Sequence, residues 1–139
     1  MEKKFIFIFC FLAALLQATS CSGMGSVTSR GGQETLTIIQ EDNGKKISVK
    51  PGDKIRIELK ELGSAGYSWY VENLDKEHLE LVSKETKVIS EGKVGAPVMV
   101  VWLFEAKKKG SSEIKMDYYR VWEGKDKATE HFSIKLTVE

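Results

Sequence analysis

Cysteine and histidine are nearly missing from this chain, which holds two of each in 139 residues. Cys10 lies in an uncharged apolar run at the amino terminus, residues 5–16, preceded by Lys3 and Lys4. The run is shorter than the roughly 20 helical residues a bilayer needs, and with its basic start it reads as a secretory signal. Cys10 leaves with that signal, so the mature chain keeps at most one thiol and has no internal disulfide. Stability must then come from a buried core. An excess of charge is missing too: without the first 20 residues, 19 basic and 19 acidic side chains remain. That balance offers no general attraction for nucleic acid or an anionic membrane surface. The run Lys107-Lys108-Lys109 reads as solvated turn residues rather than a polyanion site.

The same scarcities weigh against catalysis. A nucleophilic serine or cysteine needs a base within hydrogen-bond reach, itself oriented by a third group. The only histidines are His78, in a charged turn, and His131, at the start of an alternating run; both read as ordinary surface residues. No Gly-x-Ser-x-Gly elbow precedes a helix. Two histidines 53 positions apart, without a neighbouring thiol, do not make a zinc site. Gly92-Lys93-Val94-Gly95 lacks the Lys-Ser or Lys-Thr ending of a phosphate cradle. Acidic residues are numerous enough for accidental carboxylate pairs, so their presence does not argue for glycoside cleavage. The expectation is a protein that is not an enzyme and needs no cofactor or metal.

What is present begins with Ala18-Thr19-Ser20-Cys21, which resembles a bacterial lipoprotein processing site, with Ala18 in place of the usual leucine. Cleavage there would leave Cys21 first and acylated, anchoring the chain to a membrane at the periplasmic face or cell surface; ordinary secretion is the alternative. Residues 21–34 are rich in Gly, Ser and Thr, the composition of a flexible tether. Residues 35–139 form one domain's worth of chain, enough for a useful core without staples.

Along that domain apolar residues recur with a period of two, the spacing that buries one face of a strand and wets the other. Ile55, Ile57 and Leu59 alternate with Lys54, Arg56, Glu58 and Lys60. Ile114, Met116 and Tyr118 alternate with charged neighbours, as do Phe132, Ile134, Leu136 and Val138. These runs predict half-buried antiparallel strands. Residues 98–104 are apolar on both faces, which predicts a mid-sheet strand with an element covering each side. Residues 35–39 and 79–89 add β-branched stretches, residues 73–78 allow one helical turn, and nothing else reads as helix. Turn signals fall at Asp42-Asn43-Gly44, Pro51-Gly52, Lys109-Gly110 and Glu123-Gly124. The expected fold is all-β: an immunoglobulin-like β-sandwich of about seven to eight antiparallel strands.

All three tryptophans fall in or beside three loop-sized patches: Ser64-Ala65-Gly66-Tyr67-Ser68-Trp69, Gly92-Lys93-Val94-Gly95 running to Trp102-Leu103-Phe104, and Arg120-Val121-Trp122. Their order and spacing, from about Leu36 to Val138, resemble the chagasin family of cysteine peptidase inhibitors. That family's first loop carries Asn-Pro-Thr-Thr-Gly-Tyr-x-Trp. Here Leu62, Gly63, Ser64 and Ala65 replace the first four residues, while Gly66, Tyr67 and Trp69 are retained. Its second loop carries Gly-x-Gly-Gly ahead of Trp-x-Phe; Gly95 matches, Pro97 and Val98 take the later glycine positions, and Trp102 and Phe104 follow. Its third carries Arg-Pro-Trp, matched by Arg120 and Trp122 with Val121 for proline. Gly110, Ile114 and Tyr118 fall at the family's intervals.

The resemblance implies a monomer that inhibits papain-like cysteine peptidases reversibly and without a covalent step. Three loops at one end of the sandwich would form a wedge that occludes the active-site cleft. Its contacts would come from Gly63, Ser64, Ala65, Gly66 and Tyr67, from Gly92, Gly95, Ala96, Pro97 and Val98, and from Arg120, Val121 and Trp122. Small residues at the first tip let backbone approach a narrow cleft, and Trp and Arg are the side chains that tend to dominate interfaces. Alternation within strands, by contrast, assigns Tyr67, Trp69, Trp102 and Phe104 to the core. Losing Asn and Pro at Leu62 and Gly63 predicts a looser first tip. A bulky residue at Gly66 is expected to abolish inhibition and leave the thermal midpoint nearly unmoved. A reading from another class is a lipid-anchored immunoglobulin-like adhesion or scaffold module that holds a glycan or protein partner with the same aromatic loops.

Overall fold

A computed structural model describes residues 32–89 and 94–139. The leader, Cys21, most of the proposed tether and Gly92 lie outside the described residues. Eight strands form two four-stranded sheets. β1 (Thr35–Ile39), β3 (Lys54–Glu61), β6 (Val98–Ala106) and β5 (Leu79–Val88) lie side by side in that order in the first sheet. β2 (Lys46–Val49), β8 (Glu130–Val138), β7 (Gly110–Arg120) and β4 (Tyr67–Glu72) form the second. This is the immunoglobulin-like sandwich that the alternation predicts. The inward residues of β3, β4, β6, β7 and β8 pack between the sheets: Ile55, Ile57, Leu59, Phe104, Ile114, Met116 and Ile134 are wholly buried, and Trp69, Trp102 and Phe132 nearly so. Each such side chain contributes about 1.5–3 kcal/mol by leaving water, and truncating Ile57 to Ala would cost about 2–5 kcal/mol.

Two pairings depart from the expected all-antiparallel pattern: β1 runs parallel to β3, and β2 runs parallel to β8. The chain leaves β1, crosses to the second sheet for β2, and returns through the Pro51-Gly52 turn to β3. Two reversals restore the original direction, so β1 and β3 meet in parallel. Alternation reports which face of a strand is buried and is silent on its neighbour. The short β2, with its pattern Lys-Ile-Ser-Val, carries too little alternation to declare itself. Asn43 ties this corner down: its Nδ2 donates to the His131 carbonyl at 2.9 Å, and its Oδ1 accepts from the Ser133 N–H at 2.8 Å. Glu34, at the end of the stretch read as tether, accepts the Lys54 N–H at 2.7 Å through its carbonyl.

β6 is mid-sheet, as its two apolar faces predict, but every described strand belongs to one of the two sheets, so no third layer covers its outer face. Val101 sits there between Glu58 and Glu85 and Leu103 between Arg56 and Ser83, shaded by cross-strand side chains. β5 is an edge strand guarded in two ways against pairing with another chain. A bulge interrupts its register between Leu81 and Ser83. The Lys84 ammonium turns inward, 5.4 Å from the centre of the Trp102 ring. Residues 73–78 form a turn closed by a bond from the Leu79 N–H to the Asp75 carbonyl at 2.9 Å. His78, expected to be an ordinary surface residue, is instead half-buried in that turn. Its Nδ1 lies 2.7 Å from Asp75 Oδ2, and its ring covers Gly110 so closely that a Cβ there would meet Nε2 at 2.6 Å. This contact holds the Asp75 carboxyl below its usual range. Among the described residues three short 3-10 turns complete the secondary structure, at Gln40–Asp42, Gly63–Ala65 and Lys125–Lys127.

Candidate functional site

The direction of the strands brings the three patches together. β3, β5 and β7 run toward one end of the sandwich and β4, β6 and β8 run back from it, so the β3–β4, β5–β6 and β7–β8 connections all fall at that end. The connections differ in kind. Residues 89–97 join β5 to β6 within the first sheet, and 121–129 join β7 to β8 within the second. Residues 62–66 cross from one sheet to the other, and so stand between the two hairpins.

The first loop is a single 3-10 turn, Gly63–Ala65, closed by bonds from the Ala65 N–H to the Leu62 carbonyl at 3.0 Å and from the Gly66 N–H to the Gly63 carbonyl at 2.9 Å. Gly66 ends it at φ 79°, a left-handed conformation that glycine alone adopts without strain. Gly63, Ser64 and Ala65 are exposed and present mostly backbone. The base is clamped on both sides. The Glu61 carboxylate accepts from Ser68 Oγ at 2.9 Å and from the Trp69 N–H at 3.3 Å, while Trp69 Nε1 donates to the Lys60 carbonyl at 2.9 Å. The Tyr118 hydroxyl accepts the Leu62 N–H at 2.8 Å. Burial pushes the Tyr118 phenol above its ordinary pKa, against the opposing effect of that bond. These ties hold the base of a loop that lacks Asn and Pro at Leu62 and Gly63.

The third loop is joined to the first. A bond from the Glu123 N–H to the Arg120 carbonyl at 3.0 Å closes a turn with Val121 and Trp122 exposed at its centre. Arg120 Nε donates to the Ala65 carbonyl at 2.9 Å, its guanidinium lies 4.5 Å from the centre of the Tyr67 ring, and Trp122 lies 6.0 Å away on another side. The Trp122 ring rests on the bare α-carbon of Gly66. A Cβ there would meet Trp122 Cζ2 at 2.9 Å and Cη2 closer still. Beyond the turn, Lys125 Nζ reaches Glu72 Oε2 at 2.6 Å and Asp117 Oδ2 at 3.7 Å, and the Glu72 contact raises the Lys125 pKa.

The described part of the second loop meets the first at one point. Ser64 Oγ lies 3.5 Å from the Gly95 carbonyl, Gly95 turns at φ 82°, and Val94 is fully exposed. Ala96 and Pro97 are half-buried. Val98 opens β6 opposite Glu61 and Val88 and spends part of its side chain on the core. Tyr67 is likewise half-buried against the core, stacked on Tyr118 at 5.3 Å, and carries the Arg120 guanidinium over its ring. The other three aromatics assigned to the core, Trp69, Trp102 and Phe104, are buried there.

Of the residues expected at the site, Ser64, Ala65, Gly66, Tyr67, Gly95, Arg120 and Trp122 are brought into mutual contact; Gly63 and Val121 stand exposed beside them. Sequence reasoning missed the supports: Glu61, Tyr118, Glu72 and Lys125. Tyr118 alone carried a signal, since a tyrosine on an inward-facing position needs a partner for its hydroxyl.

The pattern of the chagasin family peptidase inhibitors, I42, matches residues 48–137. No curated protein matches the chain by sequence. Among solved structures, the cysteine protease inhibitor EhICP2 from Entamoeba histolytica superposes with a TM-score of 0.70 at 21% identity, covering 77% of this chain and 97% of its own. Amebosin superposes at 0.64 and 21% identity, covering 78% and 100%. PbICP-C, solved in complex with falcipain-2, superposes at 0.58 and 17%, covering 76% and 99%. These likenesses carry the fold, and the pattern match carries the kinship: the chain belongs to the chagasin family of peptidase inhibitors.

Proposed function

We propose that this protein is a reversible, non-covalent inhibitor of papain-like cysteine peptidases that plugs the active-site cleft with its three loops. One observation supports this reading above the rest: a glycine-tipped turn, braced by Arg120 and overlaid by an exposed tryptophan, stands at the centre of one end of the sandwich. A tip that presents backbone fits a narrow cleft, and Trp122 and Arg120 fit its walls. Because the loop is bonded to Tyr118 and Arg120 and its base is closed by Glu61 on Ser68, docking orders little that is not already ordered, which favours tight binding without chemistry. The kinship of the fold with the cysteine protease inhibitor of Entamoeba histolytica and with a protein solved on falcipain-2 points the same way. Titration of the mature chain against a panel of papain-like peptidases should give competitive, equimolar inhibition and leave serine peptidases untouched. Full activity of every papain-like enzyme at saturating protein would overturn the proposal.

Cys21 completes the reading as a lipid attachment point that holds a monomeric inhibitor at a membrane, with the Gly- and Ser-rich stretch as its spacer. The guarded edge of β5 supports a monomer. Expressed with its leader in a bacterial host, the chain should partition with membranes and carry the added mass of acyl chains, and Cys21→Ala should release it. A soluble wild-type chain with an unmodified amino terminus refutes the anchor alone.

A further inference from the structure

Beside the loop end, where β1 stops short and β3 continues, lies a groove of about 610 Å³. Its apolar lining comes from Ile39 at the end of β1, Leu62 of the first loop, Pro97 of the second and Met99 of β6. Ile39 and Leu62 are among the exposed large hydrophobic side chains of the domain, at 43% and 46% of full exposure. The groove is therefore continuous with two of the three loops.

Its rim is acidic. Glu41, Glu58 and Glu130 line it against a single ammonium, Lys60. Glu58 is already matched, since Arg56 Nε lies 2.6 Å from its Oε1. Among the described residues Glu41 and Glu130 have no cation within 4.0 Å; Glu130 receives only the neutral Gln40 amide at 3.3 Å. Two carboxylates without a counter-ion above an apolar floor suit a side chain with an apolar stem and a cationic head, the way lysine and arginine pack when half-buried.

We propose that this groove is a second contact for the inhibited peptidase, taking a lysine or arginine from the rim of its cleft while the loops fill the cleft itself. The proposal rests on the inhibitory reading above. The loops decide whether a peptidase is blocked; the groove sorts peptidases by the charge they carry beside the cleft, through association rate and salt dependence.

The test uses the mature chain and the papain-like peptidase it inhibits best. The double variant Glu41→Lys with Glu130→Lys should raise the inhibition constant about threefold to tenfold at low salt. The loss should shrink at high salt and fall mainly on the association rate, with the thermal midpoint unchanged. Glu41→Gln with Glu130→Gln should give a smaller loss in the same direction. Equal inhibition constants for parent and both variants across the salt series overturn the groove contact. A Gly66→Val control separates the two readings: if it weakens inhibition while the groove variants do not, the loops stand and the groove falls. If Gly66→Val inhibits as well as the parent, the loop reading itself fails.

Discussion

The second and third loops flank the same central turn, yet they are held in different ways. The third is bonded to it through Arg120, packed on it through Trp122, and fixed at its far side by Lys125 between Glu72 and Asp117. Among the described residues the second touches it through Ser64 to Gly95, at the 3.5 Å limit of a hydrogen bond. The first and third loops thus form one joined unit at this end of the sandwich. Such joining reduces the entropy lost on docking. The first and third loops should therefore carry most of the affinity.

The most damaging change should be Gly66→Val. A side chain at φ 79° is strained and also displaces Trp122. Left-handed backbone costs a non-glycine residue about 1–2 kcal/mol, and each kcal/mol lowers the midpoint of a domain this size by about 4–8 °C. The structure thus corrects the expectation that a bulky residue there would be thermally silent. Calorimetry should show the drop, and inhibition should weaken by about two orders of magnitude or more. A variant that keeps both its midpoint and its potency contradicts the packing of Trp122 on Gly66.

Trp122→Ala comes next. Trp122 is 68% exposed, so its loss should leave stability within about 0.5 kcal/mol while weakening inhibition about tenfold to a hundredfold. A loss of stability with no loss of inhibition would make it a structural residue and break the comparison.

Tyr118→Phe should act through the first loop. It leaves the Leu62 N–H without its partner, at a cost of about 1 kcal/mol, and faster hydrogen exchange at residues 62–66 should accompany the loss. The intact tyrosine has a pH signature. Its folded pKa is raised, so the protonated form is the one the fold favours. That contribution is fully present below the unfolded tyrosine value of about 10 and is lost as pH rises through the folded value. Chemical denaturation of the wild type should show an alkaline decline that is smaller in Tyr118→Phe; identical alkaline limbs would exclude this residue as its source.

Lys125→Met should loosen only the third loop, weakening inhibition about threefold, with recovery in Lys125→Arg. The smallest effect belongs to Ser64→Ala, which should change the inhibition constant by less than about twofold, since a contact at 3.5 Å contributes little. If Ser64→Ala costs as much as Lys125→Met, the two flanking loops are held equally and the asymmetry is wrong.

Alternation in the sequence determined the strands from β3 onward with clear period-two runs, and with them the core residues Ile55, Ile57, Leu59, Ile114, Met116, Phe132 and Ile134. Burial on one face of a strand imposes that period wherever the strand sits, so it is visible without knowing any neighbour. The glycines and aromatics likewise located the three loops, because turns and close approach demand particular residues locally. Tertiary structure alone decided the partners. It set the parallel pairings of β1 and β2, the placing of Arg120 on Ala65, the seat of Trp122 on Gly66, and the Tyr118 and Lys125 supports. Arg120 and Ala65 are 55 positions apart, and Lys125 and Glu72 are 53. Contacts at such separation depend on how two sheets stack and which strand ends meet, and no local pattern in the chain encodes that.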